Sequence, residues 1–179
     1  LWFVIGVLVT FSPEFGKALK MVEMPKASTA IMCAYIGLSL GSFASGALSQ
    51  IFKNRRGITA IFMGLNLAFI LFYLFNPSPS LLIFYATCLS LGFASGYWAL
   101  FVTIAAEQFG TNIRATVATT VPNFVRGALV PLTLSFQALK SCYGIIEGAL
   151  VVAVVCVVLA FIALLGIEET YGKSLDYIE

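Results

Sequence analysis

Arg126 is the residue whose placement most demands an explanation. It lies about eleven residues into the apolar run Ala115–Leu139, and a helical rise of ~1.5 Å per residue sets it near the middle of a hydrocarbon layer. A charge there costs at least about 2.5 kcal/mol. No Asp or Glu of the apolar runs shares its depth. Arg126 therefore meets an anionic solute, pairs with an acid outside this chain, or bonds backbone carbonyls. At 100° per residue, Thr116, Thr119, Thr120, Asn123, Arg126, Thr133 and Gln137 share one arc of roughly 140°, with Pro122 and Pro131 beside Arg126. Tyr35, Ser39, Ser42, Gly46 and Ser49 form a stripe on another run, and Thr87, Ser90, Ala94, Tyr97, Trp98 and Phe101 an aromatic one on a third. Donors, rings and one guanidinium at these spacings suit binding of a small organic solute. Arg126, Asn123, Trp98, Tyr97, Tyr35 and Thr119 are the expected substrate-binding residues. The alternative reading of the Ser and Thr residues is bonding to their own helix backbone at tight packing sites.

Covalent chemistry has little to work with. There is no His, no Asp pair within an apolar run and no Ser–Lys pair in register, so no catalytic residues and no enzyme are expected. Cys33, Cys88, Cys142 and Cys156 form no CxxC. They read as small packing residues, with no metal and no cofactor expected. Ten Lys/Arg against eight Asp/Glu, a net charge of +2, gives no nucleic-acid footprint.

The elements that hold these residues follow from composition. Of 179 residues, 60% are hydrophobic and 10% charged, with a mean hydropathy of +1.01. Soluble domains carry about 25% charged residues, so an all-α integral membrane protein in a lipid bilayer is expected. Five runs reach the ~20 residues a crossing needs: Ala27–Phe52, Gly57–Asn76, Ser80–Ala106, Ala115–Leu139 and Tyr143–Ile167. A shorter run, Leu1–Phe11, reads as a truncated first helix. It has neither the basic start nor the cleavage pattern of a signal peptide. Polar stripes mark the second, fourth and fifth of these six runs as cavity-lining. The third and sixth are expected at the periphery, facing lipid. Lys53, Arg55 and Arg56 favour their side as cytoplasmic. Gly37-x-x-x-Gly41 and Gly92-x-x-x-Gly96 predict close helix contacts.

Gly46-Ala47-Leu48-Ser49-Gln50-Ile51-Phe52-Lys53-Asn54-Arg55-Arg56 resembles the second copy of the Gly-x-Leu-x-Asp-Arg-x-Gly-Arg-Arg loop of the major facilitator superfamily, with Gln50 where Asp is usual. Glu107-Gln108-Phe109-Gly110-Thr111-Asn112-Ile113-Arg114 is similar to that family's Glu-x-Phe-Pro-x-x-x-Arg loop, with Gly110 in place of Pro. Glu169-Thr170-Tyr171-Gly172-Lys173-Ser174-Leu175 resembles the Glu-Thr-x-Gly-Lys-x-Leu ending of sugar-porter-like members. The resemblance implies the C-terminal six-helix half of a twelve-helix transporter: residues 1–167 as helices seven to twelve and 168–179 as a cytoplasmic tail. An N-terminal six-helix half of the same polypeptide would then be its partner. It implies secondary active transport, by symport, or facilitative transport of a small solute, anionic if Arg126 binds it, across a bacterial inner membrane. Gly46, Arg55, Arg56, Glu107 and Arg114 would be gating or structural residues, with the arginines on helix C-termini and Glu107 in one state and released in the other. Sugar specificity is not implied, because Gly96-Tyr97-Trp98 lacks the sugar porters' Pro. The competing expectation is a stand-alone six-helix protein, a homodimeric half-carrier or scaffold joined through its GxxxG faces.

Overall fold

The computed structural model describes residues 1–172; Lys173, Ser174 and Leu175 of the tail motif lie outside the described residues. These 172 residues form helices and connections only. A π-helical segment, Val4–Val9, leads into α1 (Ser12–Ala18). Then follow α2 (Ala27–Ile51), α3 (Arg55–Phe75), α4 (Leu81–Ala94), a 3-10 turn (Ser95–Tyr97), α5 (Trp98–Glu107), α6 (Thr111–Gly127), α7 (Leu129–Tyr143) and α8 (Ile145–Gly166). Four helices are long and apolar enough to cross a membrane: α2, α3, the combined Leu81–Glu107 and α8.

Local sequence sets the boundaries. The Asn54 side chain accepts a hydrogen bond from the Gly57 N–H at 2.6 Å and starts α3. Ser80 caps α4 in the same way. Gly144, at φ 98°, makes the turn into α8. The first run does not stop at Phe11 as expected. It bends at Thr10, whose hydroxyl donates to the Ile5 carbonyl, and stays helical to Ala18.

One expectation is corrected. Ala115–Leu139 is two helices, α6 and α7, that meet at Ala128. Pro131 has no N–H for the Gly127 carbonyl, so the ladder is interrupted there. At 17 and 15 residues, neither α6 nor α7 alone reaches the length of a span.

The two GxxxG motifs pack on each other. A Cβ on Gly37 would collide with the Leu89 carbonyl, one on Gly41 with the Phe93 carbonyl, and one on Gly92 with the Ala34 carbonyl. Only the missing side chains let α2 and α4 approach this closely. The expected dimer face is thus occupied within a single chain. Ala30, Ala34, Gly37, Gly41, Ser45 and Ser49 form the buried stripe of α2. The stripe read as cavity-lining is divided: Tyr35 and Ser39 are exposed, Ser42 and Gly46 half-buried, and Ser49 buried.

An aromatic core sits toward one end. Phe15 packs on Tyr73 at 5.5 Å and on Phe136 at 6.0 Å, and Tyr73 packs on Phe84 at 5.2 Å. The Tyr73 hydroxyl donates to the Leu8 carbonyl at 2.8 Å, which meets the need of a buried phenol for a partner. The α8 surface exposes Val151, Val154, Val158, Ile162 and Leu165, as a lipid-facing helix would. The third run is less peripheral than expected. In α3, Asn66 is buried and donates to Ser95 Oγ at 2.8 Å, although Ile61, Phe72 and Phe75 are exposed.

Candidate functional site

The structure divides the expected solute-binding residues. Arg126, in the last turn of α6, is exposed, and its guanidinium bonds no backbone carbonyl among the described residues. Its guanidinium lies over the Trp2 ring, 5.2 Å from the centroid. Such a contact is worth ~0.5–1 kcal/mol at an exposed site and more when desolvated. Trp2 in turn meets Trp98 edge-on at 5.7 Å, and Trp98 stacks on Phe101 at 5.4 Å. Trp2, Tyr97, Trp98 and Phe101 line an apolar cavity of about 280 Å³ between the first run, α3, α5, the α6–α7 junction and α8. Arg126, Trp98 and Tyr97 are thus brought into one neighbourhood, with Trp2 between Arg126 and Trp98. Trp2 was not singled out from sequence, because nothing in the spacing of a distant aromatic signals a cation partner.

Asn123 and Thr119 lie on the same exposed face of α6. Asn123 Nδ2 donates to the Thr119 carbonyl at 3.0 Å, and the Thr119 hydroxyl to the Thr116 carbonyl at 2.9 Å. Both side chains bond their own helix while facing outward, and α6 buries no residue at all. Tyr35 stands apart on exposed α2. Ser39 and Ser49 donate to the Tyr35 and Gly46 carbonyls of their own helix. Nothing lies within 4 Å of a Cβ built on Gly46.

The loop residues come together at one end of the bundle. Arg55, the first residue of α3, forms an ion pair with Glu107, the last of α5, at 2.5 Å, and both side chains are largely buried. The Arg56 guanidinium donates to the Leu165 carbonyl at 3.1 Å, in the last turn of α8, where a cation opposes the negative helix end. Arg114 Nη2 donates to the Phe109 carbonyl at 3.3 Å. Glu169 completes the group. Its carboxylate accepts from the backbone N–H groups of Arg55 (3.0 Å), Arg56 (2.9 Å), Thr170 (3.1 Å) and Tyr171 (3.0 Å). Burial pushes the Glu169 carboxyl up, but the backbone donors of Arg56, Tyr171, Arg55 and Thr170 outweigh it and hold the group below its ordinary value. A carboxylate brought from beyond α8 therefore serves as the cap at the start of α3. Sequence reading saw Glu169 only inside a tail motif, because capping signals are local and this cap arrives from 114 residues away. Arg55 also lies 5.9 Å from the Tyr171 ring centroid.

The opposite end is tied separately. Lys140 of α7 pairs with Glu14 of α1, and the Ser78 N–H donates to the Leu19 carbonyl at 2.9 Å.

Among the described residues no group of His, Cys, Asp or Glu is arranged to hold a metal. The four helices of the described residues that are long and apolar enough to cross a bilayer mark the chain as a helical membrane protein. Comparison of the chain with protein-family models, with curated proteins and with solved structures finds no match.

Proposed function

We propose that this chain is the C-terminal six-helix half of a secondary transporter of the major facilitator type, moving a small anionic organic solute by alternating access. The observation that carries the reading is α6. A helix bearing Thr119, Asn123 and Arg126, flanked by apolar helices and burying nothing within the chain, requires either a water-filled path or another protein surface. An N-terminal half packed beside α2 and α6 would supply both. The solute's anionic group would bind Arg126, and Trp98 and Tyr97 would contact its body. Arg55, Arg56, Glu107, Arg114 and Glu169 would close the cytoplasmic end in one state and separate in the other. The membrane would be the bacterial inner membrane.

The test is uptake of mono- and dicarboxylates and sugar phosphates into proteoliposomes carrying the full protein. Arg126→Ala should abolish uptake of the transported anion, and Arg126→Lys should restore part of it. Undiminished uptake of every anion by Arg126→Ala overturns the reading.

A further inference from the structure

A groove of about 560 Å³ runs between the first turns of α3 and the last turns of α8. Gly57 and Ala60 form a low wall on α3, and Phe161 and Leu165 face them from α8. Arg56 and Glu169 close the groove at the bundle end. Beyond it the neighbouring side chains Ile61, Val158 and Ile162 are exposed and apolar. Both helices are long and apolar enough to cross a membrane, so the groove opens toward acyl chains along its length and toward headgroups at its mouth.

The charge at the mouth is not neutral. The Arg56 bond to the Leu165 carbonyl fixes the guanidinium there and leaves most of its five N–H donors with no other partner among the described residues. Lys53 is exposed in the preceding turn, at φ 50°. Of the two described acids after α8, Glu168 and Glu169, only Glu169 lines the groove, and its oxygens already accept four backbone N–H groups. Among the described residues, Arg56 in the lining and Lys53 in the turn before it stand against one lining carboxylate whose oxygens are occupied, and above an apolar channel they complement a lipid with a net negative headgroup.

We propose that the α3–α8 groove binds one anionic phospholipid, with its phosphate on Arg56 and Lys53 and an acyl chain against Ala60, Phe161 and Leu165. The site lies between α3 and α8 of this chain and shares Arg56 and Glu169 with the proposed cytoplasmic gate.

Native mass spectrometry of the full chain in detergent, with equal amounts of phosphatidylglycerol and phosphatidylcholine, tests it. One phosphatidylglycerol should be retained in preference to phosphatidylcholine. Lys53→Gln and Arg56→Gln should each weaken that preference about fivefold, the factor implied by ~1 kcal/mol per basic residue at a lipid surface. Ala60→Trp fills the groove and should remove both lipids while the thermal midpoint is kept. Lys26→Gln, just before α2 and outside the groove, should leave retention unchanged, and excess inorganic phosphate should not displace the lipid. Equal retention of the two lipids by the unaltered chain overturns the proposal. So does unchanged retention in Lys53→Gln and Ala60→Trp, or displacement by phosphate, which would mark a free-anion site. Because transport is never read, failure here leaves the transport reading standing, and the reverse also holds.

Discussion

Arg55 and Glu107 join the start of α3 to the end of α5 through a largely buried ion pair, and the backbone N–H of the same Arg55 is held by Glu169 from beyond α8. One residue thus ties three helix ends together. Removing one partner of a buried pair leaves the other charge uncompensated, which costs ~3–5 kcal/mol in closed interiors, whereas replacing both is often close to neutral. Arg55→Gln and Glu107→Gln should each lower the thermal midpoint in detergent by several degrees. The double variant should be more stable than either single one. A double variant whose loss equals the sum of the two would show that the residues act independently.

Glu169 gives this end of the bundle a pH dependence of definite sign. Its folded-state pKa lies below the ordinary 4.5, so its stabilising effect is fully present above pH 4.5 and is lost as the pH falls through the depressed folded value. Unfolding midpoints measured from pH 7 downward should fall more steeply in the unaltered protein than in Glu169→Gln. The two curves should converge at low pH. Parallel curves would remove Glu169 as the titrating cap.

Helix existence was legible in sequence wherever an apolar run was long and bounded by Pro, Asn or Ser. Ala27–Phe52 became Ala27–Ile51, Ser80–Ala106 became Leu81–Glu107, and Tyr143–Ile167 became Ile145–Gly166. The break at Ala128 was legible only in part: Pro122 and Pro131 each remove a backbone bond and permit bending, but nothing in their spacing said that the run would divide at Pro131 and not at Pro122. The packed face of α2 was legible from size and not from polarity: Gly37 and Gly41 of the GxxxG motif form the contact beside Ala34, whereas Tyr35 and Ser39 of the polar stripe are exposed. The site was legible residue by residue and not as pairs. Arg126 was noted for its depth and Glu169 for its motif. Their partners, the Trp2 ring and the α3 backbone, are far away in the chain.

The two kinds of glycine in α2 make opposite predictions. Gly37→Leu would drive a side chain into the Leu89 carbonyl, and α4 cannot yield without losing the neighbouring contacts of Gly41 and Gly92. Well-folded protein should be lost, as read by monodispersity after extraction. Gly46→Ala meets open space within the chain and should raise helix stability by ~0.5–1 kcal/mol. If Gly46→Ala instead folds normally but blocks transport, Gly46 contacts a surface of the other half.

Trp2 should set the working position of Arg126. The guanidinium rests over its ring, and Trp98 holds the ring edge-on. Trp2→Leu keeps apolar volume but removes the quadrupole that attracts the cation. A contact worth ~0.5–2 kcal/mol implies a 2- to 30-fold weaker grip on the bound anion. The rise should appear in KM, because the charge that binds the solute is still present but no longer held in place. Trp2→Phe keeps a weaker ring and should fall between Trp2→Leu and the unaltered protein. The separation from a purely structural effect comes from Met63→Ala, which loosens the same cavity wall at a residue assigned neither to the solute nor to Arg126. If Trp2→Leu and Trp2→Phe raise KM equally, the ring acts through its volume alone and the cation contact does not position Arg126.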